Sequence, residues 1–248
     1  MKNVKINLTD YKIELEEIEK ELKILPPGIL KKRIYKRGTF YYHWANGKEI
    51  GITRDKNRIK QLARKIYVLT RQKQLKNNAT KPVNKFDHRT PKELIDSLPT
   101  AYRDLPENYF FHSSIENWVA KLYRKNTYPQ EVNGYFSKKG VEFRSKSELI
   151  IANLLEEYNI PYHHDVAMKL GEKTKFPDFI IKNPFTGKTI IWEHFGSLNQ
   201  DKYAENMIEK MELYLSQGYI PFETIIYTFE SDIKAKQRLE YLIENIIL

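Results

Sequence analysis

Residues 176–196, FPDFIIKNPFTGKTIIWEHFG, predict two β-strands joined by a turn. The strands are predicted over 176–182 and 188–195, because β-branched and aromatic side chains dominate both runs and turn-forming residues separate them. Each strand carries one acid among apolar neighbours, Asp178 in the first and Glu193 in the second. A buried carboxylate is costly unless it is paired or coordinates a metal. The placement of these two acids therefore indicates a site.

A third acid, Glu148, lies near the start of a predicted helix over 145–158. Ser145, three residues earlier, fits the pattern of a capping box, so helix capping is the alternative to a role in the site. For Asp178 and Glu193 the alternative is a structural pairing with Lys or Arg.

From Gly140 onward the elements are predicted in the order α-β-β-β-α-β-α. A series of strands followed by a helical crossover implies an α/β domain, with a mixed sheet and helices on both faces. Besides the two strands and the helix already given, the predicted elements are a first strand over 162–170, a helix over 201–217, a strand over 223–229 and a final helix over 232–247.

This order, together with the acids, resembles the PD-(D/E)XK nuclease superfamily, which has the restriction-endonuclease-like fold. The pair Pro177-Asp178 matches the opening of the family motif, Glu193 matches its second acid, and Glu148 matches the acid often found on the first core helix. The stretch that begins at Glu193 is similar to that of a subgroup with an E-H-x-G signature. The resemblance covers 135–248 and implies an αβββαβ core with a mixed sheet.

The lysine of the family motif is missing from its usual position, two residues after the second acid, where this chain has Phe195. Some members of the family carry this lysine on the following helix. Lys210 is the best candidate there, because its spacing from Met207 and Met211 places it on or near their helical face. Lys202, nearer the start of the helix, is the weaker candidate.

The resemblance implies metal-dependent hydrolysis of DNA. Mg²⁺ or Mn²⁺ would be held by Asp178, Glu193 and the backbone carbonyl of His194, with Glu148 as a further ligand or acting through water. Lys210 would orient the attacking water or stabilise charge on the phosphorane. The His194 side chain faces the opposite side of the strand from Glu193, which favours a structural role over general-base work.

The run His163-His164-Asp165 could indicate a transition-metal site. Adjacent residues of a strand face opposite ways, however, so the two imidazoles are not expected to converge on one ion. The resemblance makes Asp165 an accessory residue of the site at most.

Positive charge is concentrated in residues 28–90, which hold 18 Lys and Arg against three acids, whereas the rest of the chain is net acidic. Such a patch attracts a polyanion, most commonly nucleic acid, and the alternative is an ordinary solvated surface. Contacts with nucleic acid are predicted for Lys31, Lys32, Arg33, Lys36, Arg37, Tyr42, Lys48, Arg54, Arg58, Arg64 and Lys65.

The N-terminal half is predicted as an α+β region of helix, β-hairpin and helix. A heptad stripe on the first helix favours packing within its own domain, with self-association into a homodimer as the alternative. The helices are predicted over 9–24 and 54–76, and the hairpin begins at 29–42 and returns after Asn46-Gly47. The predicted division is a basic region over 1–77, a linker with short helices over 78–134 and a nuclease-like domain over 135–248.

Cysteine is absent, and no long apolar run or signal-peptide pattern is found, so we expect a cytoplasmic protein without a membrane partner.

The leading hypothesis is a Mg²⁺-dependent endonuclease or nickase acting on DNA. The alternatives are a non-catalytic nucleic-acid-binding or assembly protein and an RNA-processing nuclease, since a basic segment does not distinguish DNA from RNA.

Overall fold

The computed structural model describes three stretches of the chain, residues 8–127, 134–196 and 201–248. Contacts divide the chain into two units, Met1–His112 and Ser113–Leu248. The division falls within the segment predicted as a linker with short helices, 78–134. No helix in the described stretches is both long and apolar enough to cross a membrane.

The first unit combines a three-stranded antiparallel sheet, in the order β1-β2-β3, with four helices among its described residues. Its elements are α1 (Leu8–Ile24), β1 (Ile29–Tyr35), β2 (Gly38–Ala45), β3 (Lys48–Gly51), α2 (Lys56–Ala79), α3 (Pro91–Asp96) and α4 (Thr100–Arg103). The prediction of one continuous strand over 29–42 is wrong. The chain turns at 36–37, so this range contains β1 and the first part of β2. Gly38 allows this turn, with a φ of 132°.

Helix α2 forms the centre of the first unit. Its N-terminus is capped by Asp55, whose Oδ1 accepts a hydrogen bond of 2.9 Å from the Arg58 N–H. The face of α2 that packs inward includes Ile59, Leu62 and Ala63, which are all buried. Helix α1 packs against α2 within this unit, as the heptad stripe favours.

The second unit contains a four-stranded mixed sheet and two short ribbons. Its elements are α5 (Ser114–Ala120), β4 (Tyr135–Phe136), β5 (Glu142–Phe143), α6 (Lys146–Glu157), β6 (Tyr162–His164), β7 (Met168–Leu170), β8 (Lys173–Lys175), β9 (Phe179–Lys182), β10 (Thr189–Phe195), α7 (Asp201–Ser216), β11 (Ile225–Phe229), α8 (Glu230–Ile233) and α9 (Lys236–Leu242), with a π-helical turn over Ile243–Ile247.

The main sheet has the order β11-β10-β9-β6. Strand β10 pairs with β11 in parallel and with β9 antiparallel, so the predicted mixed sheet and α/β class are confirmed. Residues of α6 and α9 pack on one face, around Trp192 and Ile181. Tyr214 of α7 packs on the other face, against Ile191 and Phe195. The sheet is therefore covered by helices on both sides.

Two predicted elements of the second unit are interrupted. The strand expected over 162–170 breaks at Asp165, which has a φ of 51°, and β7 then pairs with β8 in a separate ribbon. The helix expected over 232–247 is divided into α8, α9 and a π-helical turn. The break between α8 and α9 lies at Ala235, which leaves the helical conformation with φ −118° and ψ 86°.

Candidate functional site

Asp178 and Glu193 lie side by side at the end of the mixed sheet. The antiparallel register sets Trp192 opposite Phe179, and the next position along brings Glu193 beside Asp178. Asp178 Oδ2 accepts a hydrogen bond of 2.7 Å from the backbone N–H of His194. Glu193 is fully buried, whereas Asp178 is half-buried.

The electrostatics of this pair favour a positive partner. Burial raises the pKa of Glu193 to about 7, and the neighbouring charge of Asp178 acts in the same direction. Burial also raises the pKa of Asp178, although Lys210 and the His194 N–H oppose the shift. Two carboxylates that disfavour each other's ionised form are stabilised by a cation placed between them.

Helix α7 supplies two groups that hold Glu193. Lys210 Nζ donates to Glu193 Oε2 at 2.7 Å, and the Tyr214 hydroxyl donates to Glu193 Oε1 at 2.5 Å. The two donors are four residues apart, so they lie on one face of the helix. The structure thus brings Lys210 to the predicted acids. The side chain of Lys202, the weaker candidate, lies outside the described residues.

Glu148 both caps helix α6 and acts electrostatically on Asp178. The Ser145 hydroxyl accepts from the Glu148 N–H and donates to Glu148 Oε1, each at 3.0 Å. Burial is the largest influence on the pKa of Glu148 and would raise it, but His164, Ser145 and Arg144 together outweigh burial and lower it. The closest of these contacts is with His164, with 2.8 Å between Nε2 and Oε2. The charge of Glu148 in turn raises the pKa of Asp178. The capping interpretation is confirmed, and it leaves the Glu148 carboxylate close enough to Asp178 to influence its pKa.

Direct coordination of one ion by all three acids is not seen. Within residues 8–127, 134–196 and 201–248, no group of three or more His, Asp or Glu side chains could hold a metal ion. The pair Asp178 and Glu193 remains as the set of carboxylate donors. This donor set suits Mg²⁺, which is commonly bound by one or two carboxylates and keeps several waters.

A buried hydroxyl beside the pair lacks a partner. Tyr227 lies opposite Glu193 in the parallel register of β10 and β11. Its hydroxyl is the one buried side-chain oxygen or nitrogen without a hydrogen bond in the described part of the chain. Burial raises the pKa of Tyr227 to about 12, and the charge of Glu193 adds to the shift. A hydrated cation held by Glu193 would offer this hydroxyl a partner, so the residues present fit a metal.

The His194 side chain points away from the acids, as strand alternation predicts. Its Nδ1 lies 3.2 Å from the Thr228 hydroxyl, and its Nε2 lies 3.2 Å from Glu230 on α8. His163 and His164 also face opposite ways, since His163 Nε2 lies 3.0 Å from the backbone carbonyl of Trp118. The structural interpretation of these histidines is consistent with these contacts.

Most of the predicted nucleic-acid contacts lie on the surface of the first unit. Lys36, Arg37, Lys48 and Arg54 are exposed, Arg58, Lys65 and Tyr42 are half-buried, and Lys31, Lys32 and Arg33 form ion pairs with acids of the same unit. Lys65 Nζ also donates to the Gly28 carbonyl at 3.2 Å.

The prediction for Arg64 is wrong, because this side chain is buried. Its Nε and Nη2 donate to the two carboxylate oxygens of Glu21, both at 2.8 Å. Its Nη1 donates to the Phe110 carbonyl, also at 2.8 Å. The guanidinium is therefore used to join α2 to α1 and is not available to a nucleic acid.

Comparison with known proteins gives one informative similarity. A segment of 81 residues is 33% identical to the uncharacterized protein MJ1519 of Methanocaldococcus jannaschii. The segment is 32% of this chain and 7% of that protein, so the chain spans only a small part of the relative. No family model and no solved structure matches the chain.

Three residues of the cluster were missed by sequence reasoning. Tyr214 carries no motif of its own, although its spacing of four from Lys210 places both residues on one helical face. His164 has its partner Glu148 sixteen residues earlier on another element, and no local pattern joins them. Tyr227 reads as an ordinary β-former within the apolar run of β11.

Proposed function

We propose that residues 113–248 form a metal-dependent phosphodiesterase of the PD-(D/E)XK type that cuts DNA. The observation that carries the proposal is the 2.7 Å hydrogen bond from Lys210 to Glu193, beside Asp178. A lysine from the following helix thereby reaches the two acids, although the usual lysine position is occupied by Phe195. The constellation of the family is then complete in residue types.

The order of elements supports the same assignment. Helix α6 is followed by β6, β9 and β10, then by the crossover helix α7 and the parallel strand β11. This is the αβββαβ order that the resemblance implies, with the ribbon β7–β8 inserted between the first two strands. The acids lie on β10 and directly before β9, near the point where α7 covers the sheet.

Asp178, Glu193 and the backbone carbonyl of His194 are the groups that would hold Mg²⁺ or Mn²⁺. When bound, such an ion supplies an activated water and neutralises charge on the phosphate. Lys210 carries the positive charge nearest Glu193 and is placed to orient a water or a phosphate oxygen. Tyr214 fixes the other carboxylate oxygen of Glu193.

Glu148 and His164 form the other side of the site. His164, Ser145 and Arg144 together lower the pKa of Glu148, which favours its ionised form. An ionised Glu148 can accept a hydrogen bond from a water near Asp178. The basic first unit would hold the nucleic acid, through residues such as Lys36, Arg37 and Arg54.

Plasmid cleavage in Mg²⁺ or Mn²⁺ tests the proposal. We expect Asp178→Asn, Glu193→Gln and Lys210→Met each to lower the cleavage rate by about 100-fold or more. Lys182→Met is the matched control, because Lys182 is also a half-buried lysine of this unit but donates to Gly187 and Thr189. Cleavage that persists at the wild-type rate in both Asp178→Asn and Glu193→Gln would overturn the assignment.

A second candidate is a non-catalytic nucleic-acid-binding protein. It is favoured by the hydrogen bonds that already occupy both carboxylate oxygens of Glu193. Calorimetric titration with Mn²⁺ separates the two functions, because this candidate predicts no metal binding while nucleic acid is still bound. Cleavage of RNA and not of DNA under the same conditions would instead identify an RNA-processing nuclease.

A further inference from the structure

The sheet of the first unit has two different faces. Leu30 is buried, and its backbone N–H donates to the Tyr102 hydroxyl at 2.7 Å, which identifies the inner face. Residues paired across an antiparallel ladder share a face, and successive residues alternate. The register therefore places the following side chains together on the opposite, outer sheet face, along with Ile29 and Tyr35: Lys31, Arg33, Phe40, Tyr42 and Trp44.

Cations lie over aromatic rings on this outer sheet face. Lys31 Nζ is 5.2 Å from the centroid of Trp44, and Arg33 Cζ is 4.6 Å from that of Tyr42. Arg37, in the turn before β2, extends the row, with its Cζ 5.3 Å from the centroid of Phe40. Trp44 is 39% exposed, so its ring is accessible from solvent.

The spacing of the rings matches an extended chain of bases. Phe40, Tyr42 and Trp44 occupy alternate positions of β2, so neighbouring rings are about 7 Å apart along the strand. Successive nucleotides of an extended single strand have a similar separation. A duplex hides the faces of its bases within its own stack. The aromatic rings of the outer sheet face can therefore contribute little to duplex binding.

We propose that the outer sheet face binds single-stranded nucleic acid. Unpaired bases stack on Tyr42 and Trp44, and phosphates contact Lys31, Arg33 and Arg37. Base stacking tolerates any sequence, because every base has a π-face. The inference narrows the nucleic acid of the proposed function to one with an unpaired strand, but it does not depend on the metal site.

Glu49 competes with the phosphates of a bound nucleic acid for the Lys31 and Arg33 side chains. Its Oε1 lies 2.6 Å from Arg33 Nη2, and its Oε2 lies 3.3 Å from Lys31 Nζ. A phosphate must displace this carboxylate and is also repelled by it. Glu49→Gln is therefore expected to tighten binding of a single strand by about threefold at low salt.

The test is fluorescence anisotropy of the full chain in EDTA, with a labelled oligothymidylate of about 15 nucleotides and a duplex of equal length. We expect Tyr42→Leu and Trp44→Leu each to weaken single-strand binding about tenfold and to change duplex binding less than about twofold. Arg33→Gln should lower the salt slope of single-strand binding by about 0.7. Tyr41→Leu is the matched control, because Tyr41 is the neighbouring tyrosine on the inner face.

Thermal unfolding of each variant first establishes that it is folded. Wild-type affinity for the single strand in both Tyr42→Leu and Trp44→Leu would overturn the inference and leave the rings a packing role only. An equal loss for duplex and single strand would also overturn it and indicate duplex binding by the sheet. Because EDTA prevents metal-dependent cleavage, these results are independent of whether Asp178→Asn abolishes cleavage.

Discussion

At the scale of single residues, Glu193 is the central residue of the candidate site in the second unit. It is fully buried, lies beside Asp178, and accepts hydrogen bonds from Lys210 and Tyr214. A buried carboxylate of this kind is unfavourable by itself, and its stability depends on how well its partners compensate for lost hydration. Removing a hydrogen-bond partner of Glu193, or removing its charge, should therefore change the stability of the second unit.

Lys210→Met removes the cation and leaves Glu193 buried next to another acid. We expect the free energy of unfolding at about pH 8 to fall by roughly 2 kcal/mol in metal-free buffer. The loss is smaller than for a fully buried pair because the Lys210 side chain is 24% exposed and Tyr214 remains. Urea denaturation measures the change. Lys210→Arg, which keeps the charge, is the control, and equal stability of Lys210→Met and the wild type would contradict the prediction.

The pH dependence of stability follows from the raised pKa of Glu193. In the folded protein this pKa is about 7, against an ordinary value of 4.5. The folded state therefore holds a proton that the unfolded state has released. As pH rises from about 4.5 to about 7, the metal-free protein loses stability on the order of 3 kcal/mol at this group, and the loss levels off above 7.

Glu193→Gln removes this titration while keeping an oxygen for Lys210. We expect the stability of the variant relative to the wild type to be greater at about pH 8 than at about pH 5, by urea denaturation in EDTA. Asp178→Asn is a useful comparison, because the pKa of Asp178 is also raised. A difference between Glu193→Gln and the wild type that does not change with pH would show that the carboxylate is ionised throughout.

At the scale of elements, the sequence predicts best where one local period decides the outcome. The helical spacing of α7 placed Lys210 towards the sheet, and the alternation of β10 sent Glu193 and His194 to opposite faces. Both rules depend only on backbone geometry. The pairing of Arg64 with Glu21 could not be predicted this way, because the two residues are 43 positions apart and no local pattern relates them.

The break after β6 illustrates a different limit. The run over 162–170 has no Gly or Pro that would end a strand, yet the chain turns at Asp165 with a positive φ. Asp tolerates this conformation better than most residues, but the tendency is too weak to predict a break. The Asp165 N–H donates to the carbonyl of Asp178, the residue directly before β9, at 3.1 Å. A long-range hydrogen bond therefore accompanies the turn.

Gly28 provides a prediction for the sheet of the first unit. It has a φ of 87°, and a Cβ built there would lie 2.2 Å from the backbone oxygen of Trp44. We expect Gly28→Ala to lower the free energy of unfolding by more than about 2 kcal/mol, because backbone atoms must move.

Gly47→Ala is the matched control for this prediction. Gly47 also has a positive φ, 73°, but nothing lies within 4 Å of a Cβ placed there. The control should therefore lose only about 1 kcal/mol, the cost of the backbone conformation alone. Chemical denaturation compares the two variants, and equal losses would show that the contact with Trp44 is relieved at little cost.

At the scale of the whole molecule, charge is distributed unequally along the chain. Residues 28–90 carry the basic excess, and this count follows from the sequence alone. The sequence alone does not tell which of these charges can contact a phosphate, because some of them form ion pairs inside the first unit. Arg71 pairs with Glu14 at 2.7 Å, and Arg64 pairs with Glu21. The number of phosphates that the unit can contact is therefore smaller than the number of its basic residues.

Exposed basic side chains such as Lys36, Arg37 and Arg54 lead us to expect that nucleic-acid binding depends strongly on salt. Raising NaCl from about 50 to about 300 mM should weaken binding by about 100-fold or more, because each phosphate contact releases condensed counterions. The thermal midpoint of unfolding should change by only a few degrees, since buried ion pairs are screened much less. Anisotropy and calorimetry measure the two effects, and binding that is insensitive to salt would contradict an electrostatic interface.

The three tryptophans lie in three different surroundings. Trp44 is exposed beneath Lys31, Trp118 has its ring 4.3 Å from that of His163, and Trp192 is fully buried on the α6 side of the sheet, where its indole N–H donates to Thr228. Indole emission shifts to longer wavelength in water and is quenched by stacked bases. The chain therefore carries its own optical probes: the emission of Trp44 responds to whatever covers the outer sheet face, and the emission of Trp192 shows whether the core of the second unit is intact.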